Sequence, residues 1–227
     1  MTKVVAVSLI AILLAGASSA LADDVFPAPW RGEWSTTYQF WQFGTPDTGA
    51  QGGVTPDGPG ELIEGQPGQP YIQPGYLPST RLWVYPDGDW IDQDATSPRQ
   101  GIWPLSGSID VVVDNHDPVN PDKLLWVQLT WRSTGSGNGM PVITPDDMLP
   151  DFTTGPVRIE YEQAWGDGWT TTLFAWEIHP NPQDEWFTIS GDIDVDQLVI
   201  DTWCIPEPAT LSLLALGGLA VIRRRRK

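Results

Sequence analysis

Carboxylates and indoles are the residue types through which this chain could do chemistry. It holds 29 Asp and Glu and 13 Trp, but 2 His and 1 Cys. Nucleophilic catalysis therefore lacks partners. His116 sits in Asp114-Asn115-His116-Asp117-Pro118, and His179 precedes Pro180-Asn181-Pro182; both settings are turn chemistry. Neither accompanies a Gly-x-Ser-x-Gly elbow or a catalytic Cys motif. A glycosidase needs two carboxyls at a fixed separation. Glu160 and Glu162, two apart on a strand, fall near the inverting range of about 6.5–9.5 Å. Any such pair on a solvated strand face does the same.

Metal chemistry has a more pointed candidate. Asp192-x-Asp194-x-Asp196 puts three carboxylates on one face of a strand, with Ile193, Val195 and Val199 on the core face. Like charges so close repel unless solvated or bridged, and calcium is the hard cation that suits them. The segment is not an EF-hand loop: its sixth position is Gln197 and its twelfth is Trp203. A hydrated acidic edge that discourages strand pairing is the competing reading. Asp87, Asp89, Asp92 and Asp94 form a looser loop cluster. The body requires no cofactor on this reading, with Ca2+ as the one candidate.

Sugar recognition rests on tryptophan. An exposed indole stacks on a pyranose face while polar groups at its rim fix orientation. Trp126, facing away from Leu125 and Val127, is one candidate; Trp41, Trp83 and Trp90 flank a long loop and are others. Most indoles are expected in the core.

Strands must position these residues. Helical periodicity is nearly absent between Asp23 and Trp203, whereas period-two alternation is common. Val157 to Trp165 alternates, with Val157, Ile159 and Tyr161 on one face and Arg158, Glu160 and Glu162 on the other. Leu124 to Trp131 is apolar on both faces and reads as a central strand. Trp34–Phe43, Arg81–Tyr85, Ile109–Val113, Trp169–Ile178, Trp186–Ser190 and Asp192–Asp201 complete the set. Such strands, separated by Gly, Pro, Asn and Asp, predict an all-β fold: an antiparallel β-sandwich, jelly-roll-like in topology. Gly44–Thr80 and Ser133–Pro156 read as long loops across its surface.

The two ends read differently. Lys3, the apolar run Val4–Ala17 and Ala20-Leu21-Ala22 predict a cleavable signal peptide over residues 1–22, with a signal helix and signal peptidase as partner. Residues 23–203 then form one β-sandwich domain. Six of the 12 basic residues lie in the leader and tail, while all 29 acidic residues follow Ala22. The body is strongly anionic, which excludes nucleic acid and anionic membranes as partners. One cysteine, Cys204, precludes an intramolecular disulfide. From Ala209 to Ile222 runs an apolar helix-forming stretch of 14 residues. It reaches about 21 Å, short of the roughly 30 Å hydrocarbon core. It would anchor the chain only transiently, with Arg223–Lys227 on the cytoplasmic side.

Pro206-Glu207-Pro208, that short apolar helix and the Arg cluster resemble the PEP-CTERM sorting signal of bacterial envelope proteins, over residues 204–227. The resemblance implies export and processing at Pro206, Glu207 and Pro208 by an exosortase-type enzyme, a membrane cysteine transpeptidase-like protein. It also implies retention at the outer cell surface or in the extracellular matrix. Separately, Gly191 to Asp201 is similar to the closing strand of galactose-binding-like jelly rolls. That resemblance implies a structural calcium site in which Asp196 is the matching position. The expectation is an exported, non-catalytic structural or adhesive protein. The alternatives are a carbohydrate-binding module, with polysaccharide as partner and calcium as stabiliser, and a glycoside hydrolase.

Overall fold

The computed structural model describes residues 24–33, 35–43, 58–59, 80–85, 89–114, 122–135, 139–146, 153–182 and 184–205. The expected leader, the apolar stretch 209–222, His116 and Asp87 lie outside these residues. Among the described residues no helix is long and apolar enough to cross a membrane.

Among the described residues every regular element is a strand. In chain order they are β1 (Thr36–Trp41), β2 (Gly58–Pro59), β3 (Arg81–Tyr85), β4 (Ile91–Gln93), β5 (Gln100–Leu105), β6 (Ser108–Asp114) and β7 (Asp122–Ser133). Then come β8 (Val142–Pro145), β9 (Thr153–Thr154), β10 (Arg158–Ala164), β11 (Thr170–His179), β12 (Asp184–Ser190) and β13 (Ile193–Ile205). All pairings are antiparallel. A large sheet runs β10-β11-β7-β13-β1-β2, with β5 also paired to β13, β4 to β5 and β9 to β11; a smaller one runs β3-β6-β12-β8. The eight strands expected from alternation are present. Ser133–Pro156 is not wholly a loop, since it holds β8 and β9.

The two sheets share one core. Leu125, Val127, Leu129, Trp176 and Ile200 from the large sheet meet Leu82, Ile109, Val111, Phe187 and Ile189 from the small one. Trp176 packs edge-on against Phe187 at 5.4 Å between ring centroids. At one end the core turns polar: Lys123 on β7 is fully buried and pairs with buried Glu185 on β12. In that low-dielectric setting neither charge has water to fall back on.

β13 is the strand around which the large sheet is arranged. β7 lines one of its edges from Ile193 to Ile205. β5 pairs with the other edge at Ile193–Val195, and β1 takes over at Leu198–Trp203. A β-bulge between Val195 and Gln197 marks the handover. One inserted residue reverses the alternation. The core face therefore continues through Leu198 and Ile200 rather than the expected Val199. The strand also runs four residues beyond Asp201, so that Cys204 is buried within it.

β10 departs from expectation. All seven of its residues are exposed, Ile159 and Tyr161 included. It is the edge strand of the larger sheet, where the four-stranded partner does not cover it. Its pairing with β11 shifts between Ile159 and Tyr161.

The polar end of the core gives a stability prediction. Lys123→Ala removes the cation that faces buried Glu185 and should cost about 3–5 kcal/mol, whereas the double change Lys123→Met, Glu185→Leu should cost far less. Urea unfolding midpoints of the two variants check this; equal losses would mean that the pair is not buried as described.

Candidate functional site

The acidic strand is resolved by arginine. Asp194 receives Nη2 of Arg132 at 2.6 Å, and Asp196 receives Nη1 of Arg99 at 2.5 Å. Both guanidinium groups lie over the ring of buried Trp169, at 5.2 Å for Arg99 and 4.7 Å for Arg132. Asp194 and Asp196 are buried, while Asp192 is exposed in the turn before the strand. Among the described residues no group of three His, Cys, Asp or Glu is arranged to hold a metal ion. The three aspartates are thus spread along the strand, two of them neutralised by cations of the protein itself.

Asp94 closes the same network. It accepts hydrogen bonds from the Thr96 amide, the Ser97 and Thr96 hydroxyls, Trp169 Nε1 and Arg132 Nη1. Burial alone would raise its pKa. The donors from Ser97, Thr96 and Trp169 outweigh burial and hold the carboxyl well below its ordinary value of 3.8. Asp92 and Asp89 are exposed and do not join it.

The opposite end of the same outer face is covered by residues 24–33. Arg31 forms a two-pronged pair with Asp201 (2.6 and 2.5 Å) and also contacts Asp24. Burial nonetheless pushes the Asp201 carboxyl up to about 6. The Phe26 amide donates to Gln128, and its ring stacks on Tyr161 at 5.6 Å. Trp30 meets Trp126 edge-on at 4.5 Å and stacks on Trp203 at 5.7 Å.

This places the four candidate indoles. Trp41 is fully buried in the core and offers no ring face to solvent. Trp90 packs against the core and donates to the Phe43 carbonyl at 2.9 Å. Trp126 is half-buried under Trp30. Trp83 differs: it lies on the outer face of the small sheet, stacked on Trp186 at 5.7 Å with the planes 9° apart. Trp186 is 46% exposed, and its Nε1 is held by Asp184 at 3.0 Å. Sequence reasoning did not single out Trp186, yet the signal was there. In β12, Asp184, Trp186, Thr188 and Ser190 alternate with inward Glu185, Phe187 and Ile189, so the indole shares the polar face.

The remaining candidates are dispersed. Glu160 sits on exposed β10 beside Arg158 at 3.3 Å. His179 is exposed and bonded to Asp122 at 2.5 Å. Pro206, Glu207 and Pro208 lie outside the described residues, directly after β13.

The comparisons address that last segment. Residues 205–227 match the family model of the PEP-CTERM protein-sorting motif. No curated protein and no solved structure matches the chain. The motif implies an exported protein that is handled by an exosortase-type system, membrane-associated first and released afterwards.

Two measurements follow from the aspartates. Because Asp94 has a depressed pKa in the folded state, its contribution is present above 3.8 and is lost as pH falls below that value. Asp94→Asn should therefore flatten the acid limb of a pH–stability curve below about pH 4; an unchanged limb would assign acid unfolding to other groups. Because arginines already neutralise Asp194 and Asp196, the melting temperature should be the same in millimolar calcium as in chelator, and a rise with calcium would reveal a stabilising cation site.

Proposed function

We propose that this chain is an exosortase-sorted protein of the outer cell surface or extracellular matrix, and that its sandwich serves there as a non-catalytic structural or adhesive element. The observation that carries this reading is the junction at Ile205. β13, buried along almost its whole length, ends at Ile205, where the sorting motif begins. Cleavage at or after Pro206-Glu207-Pro208 would therefore leave every described β13 pairing intact. On this reading the signal would be a detachable appendage of a finished fold.

Removal of residues 1–22 by signal peptidase and transient anchoring through 209–222 complete the proposed route. The chain alternates between the two sheets along its length, which suits a jelly-roll type of wrapping. A body of this kind would need no cofactor. The hydrolase reading has less support, since Glu160 stands on an exposed edge beside an arginine. The carbohydrate-binding reading is favoured by the exposed Trp83–Trp186 stack.

The route is tested by the intact mass of the protein recovered from its native envelope. The expected species begins near Asp23 and lacks the polyarginine end. Replacement of Pro206-Glu207-Pro208 by three alanines should leave the tail attached and the protein in the membrane fraction. A settled surface population that still carries Arg223–Lys227 would overturn the proposal.

A further inference from the structure

We infer that the outer face of the small sheet is a binding platform for a neutral polysaccharide chain, centred on Trp186 and Trp83. This deepens the surface reading above by naming the partner that the body would hold.

The face is built by register. Trp186 is paired through Val112 to Arg81, and Trp83 is paired through Asp110 to Thr188 and on to Thr144. The two indoles thus sit diagonally across the central strand β6. Val112 between them is 5% exposed although it lies on the outer face, so the stacked pair forms a roof over it. The Trp186 ring is tethered at one end by Asp184. A tethered, stacked ring loses little freedom when a ligand arrives.

The third row of the face adds Tyr85, 52% exposed, on the same side as Trp83. Trp186 and Tyr85 are two strands apart and four residues along, a diagonal of about 16 Å. That exceeds one sugar ring and suits a chain of several. Tyr85, Trp186 and Val142 all belong to this face, and they are three of the six large hydrophobic side chains with substantial exposure among the described residues. Exposed apolar area concentrated in this way marks an interaction site.

Chemistry selects the occupant. Between the aromatic positions stand Thr188 and Asp110, with Thr144 beside Thr188 on β8, and the Thr188 hydroxyl donates to Asp110 at 2.9 Å. Hydroxyls both donate and accept. Aromatic faces interleaved with hydroxyls and a carboxylate match a sugar, which presents C–H bonds on one face and hydroxyls around its rim. The core of a protein–protein interface is instead depleted of charge. Arg81 is the one basic residue in these rows, against Asp110 and Asp184, on a chain with 29 acidic residues. Uronate or sulfate polymers are repelled by such a field. An uncharged chain is not.

Affinity electrophoresis of the full chain in detergent tests this, with hydroxyethylcellulose or polygalacturonate cast in the gel. Retardation by hydroxyethylcellulose and not by polygalacturonate is expected. Trp186→Ala should weaken retention tenfold or more, Tyr85→Ala less, and Trp186→Tyr should keep most of it. Tyr161→Ala, on β10 of the opposite sheet, should leave it unchanged. No retardation by the neutral polymer, equal retardation by both polymers, or full retention by Trp186→Ala would overturn the inference. So would a dimer in sedimentation that Trp186→Ala dissolves, which would make the face a contact between two copies. The surface reading fails separately, on the intact mass of the tail.

Discussion

A strand with no free edge governs this structure. β13 must satisfy its backbone groups on both sides, and it does so with three strands drawn from distant parts of the chain. Unpaired amides and carbonyls at its buried depth would each cost about 1–3 kcal/mol. The bulge at Asp196 lets one strand accept two successive partners on the same edge. It also turns Gln197, Val199, Asp201 and Trp203 toward the outer face, where Arg31 pairs with Asp201 and Trp30 stacks on Trp203. The Arg31 clamp on Asp201 depends on that reversal.

The charged groups follow a consistent pattern. An anionic body places its few basic residues where they do structural work. Arg31, Arg99 and Arg132 each bind carboxylates beside an aromatic ring, and Lys123 closes the core. Guanidinium suits this role because its planar fork pairs with carboxylate while its face lies on a ring. Acidic residues in excess of these pairs keep the surface hydrated.

Much of the architecture was legible from alternation alone. Eight strands announced themselves because a pleated surface buries every second side chain. β2, β4, β5, β8 and β9 did not, since strands of two to six residues are too short to show a period. The face of Val199 was misread because a single inserted residue inverts parity and leaves no compositional mark. Exposure of Ile159 and Tyr161 depends on β10 being an edge, a property of strand order that local sequence does not encode. The arginine partners of Asp194 and Asp196 are likewise long-range facts. Trp186, by contrast, was readable, an indole in step with Asp184, Thr188 and Ser190.

The Arg31 clamp ties the first described residues to the last strand. A polypeptide threaded across a membrane from its amino end emerges with residues 24–33 and β1 long before β13. Until Ile205 is through, the large sheet has no middle and the amino-terminal strap has nothing to grip. The body would therefore remain unfinished throughout its passage and would close only as the hydrophobic tail reached the translocation pore. Folding would then be timed by the arrival of the very segment that is about to be removed.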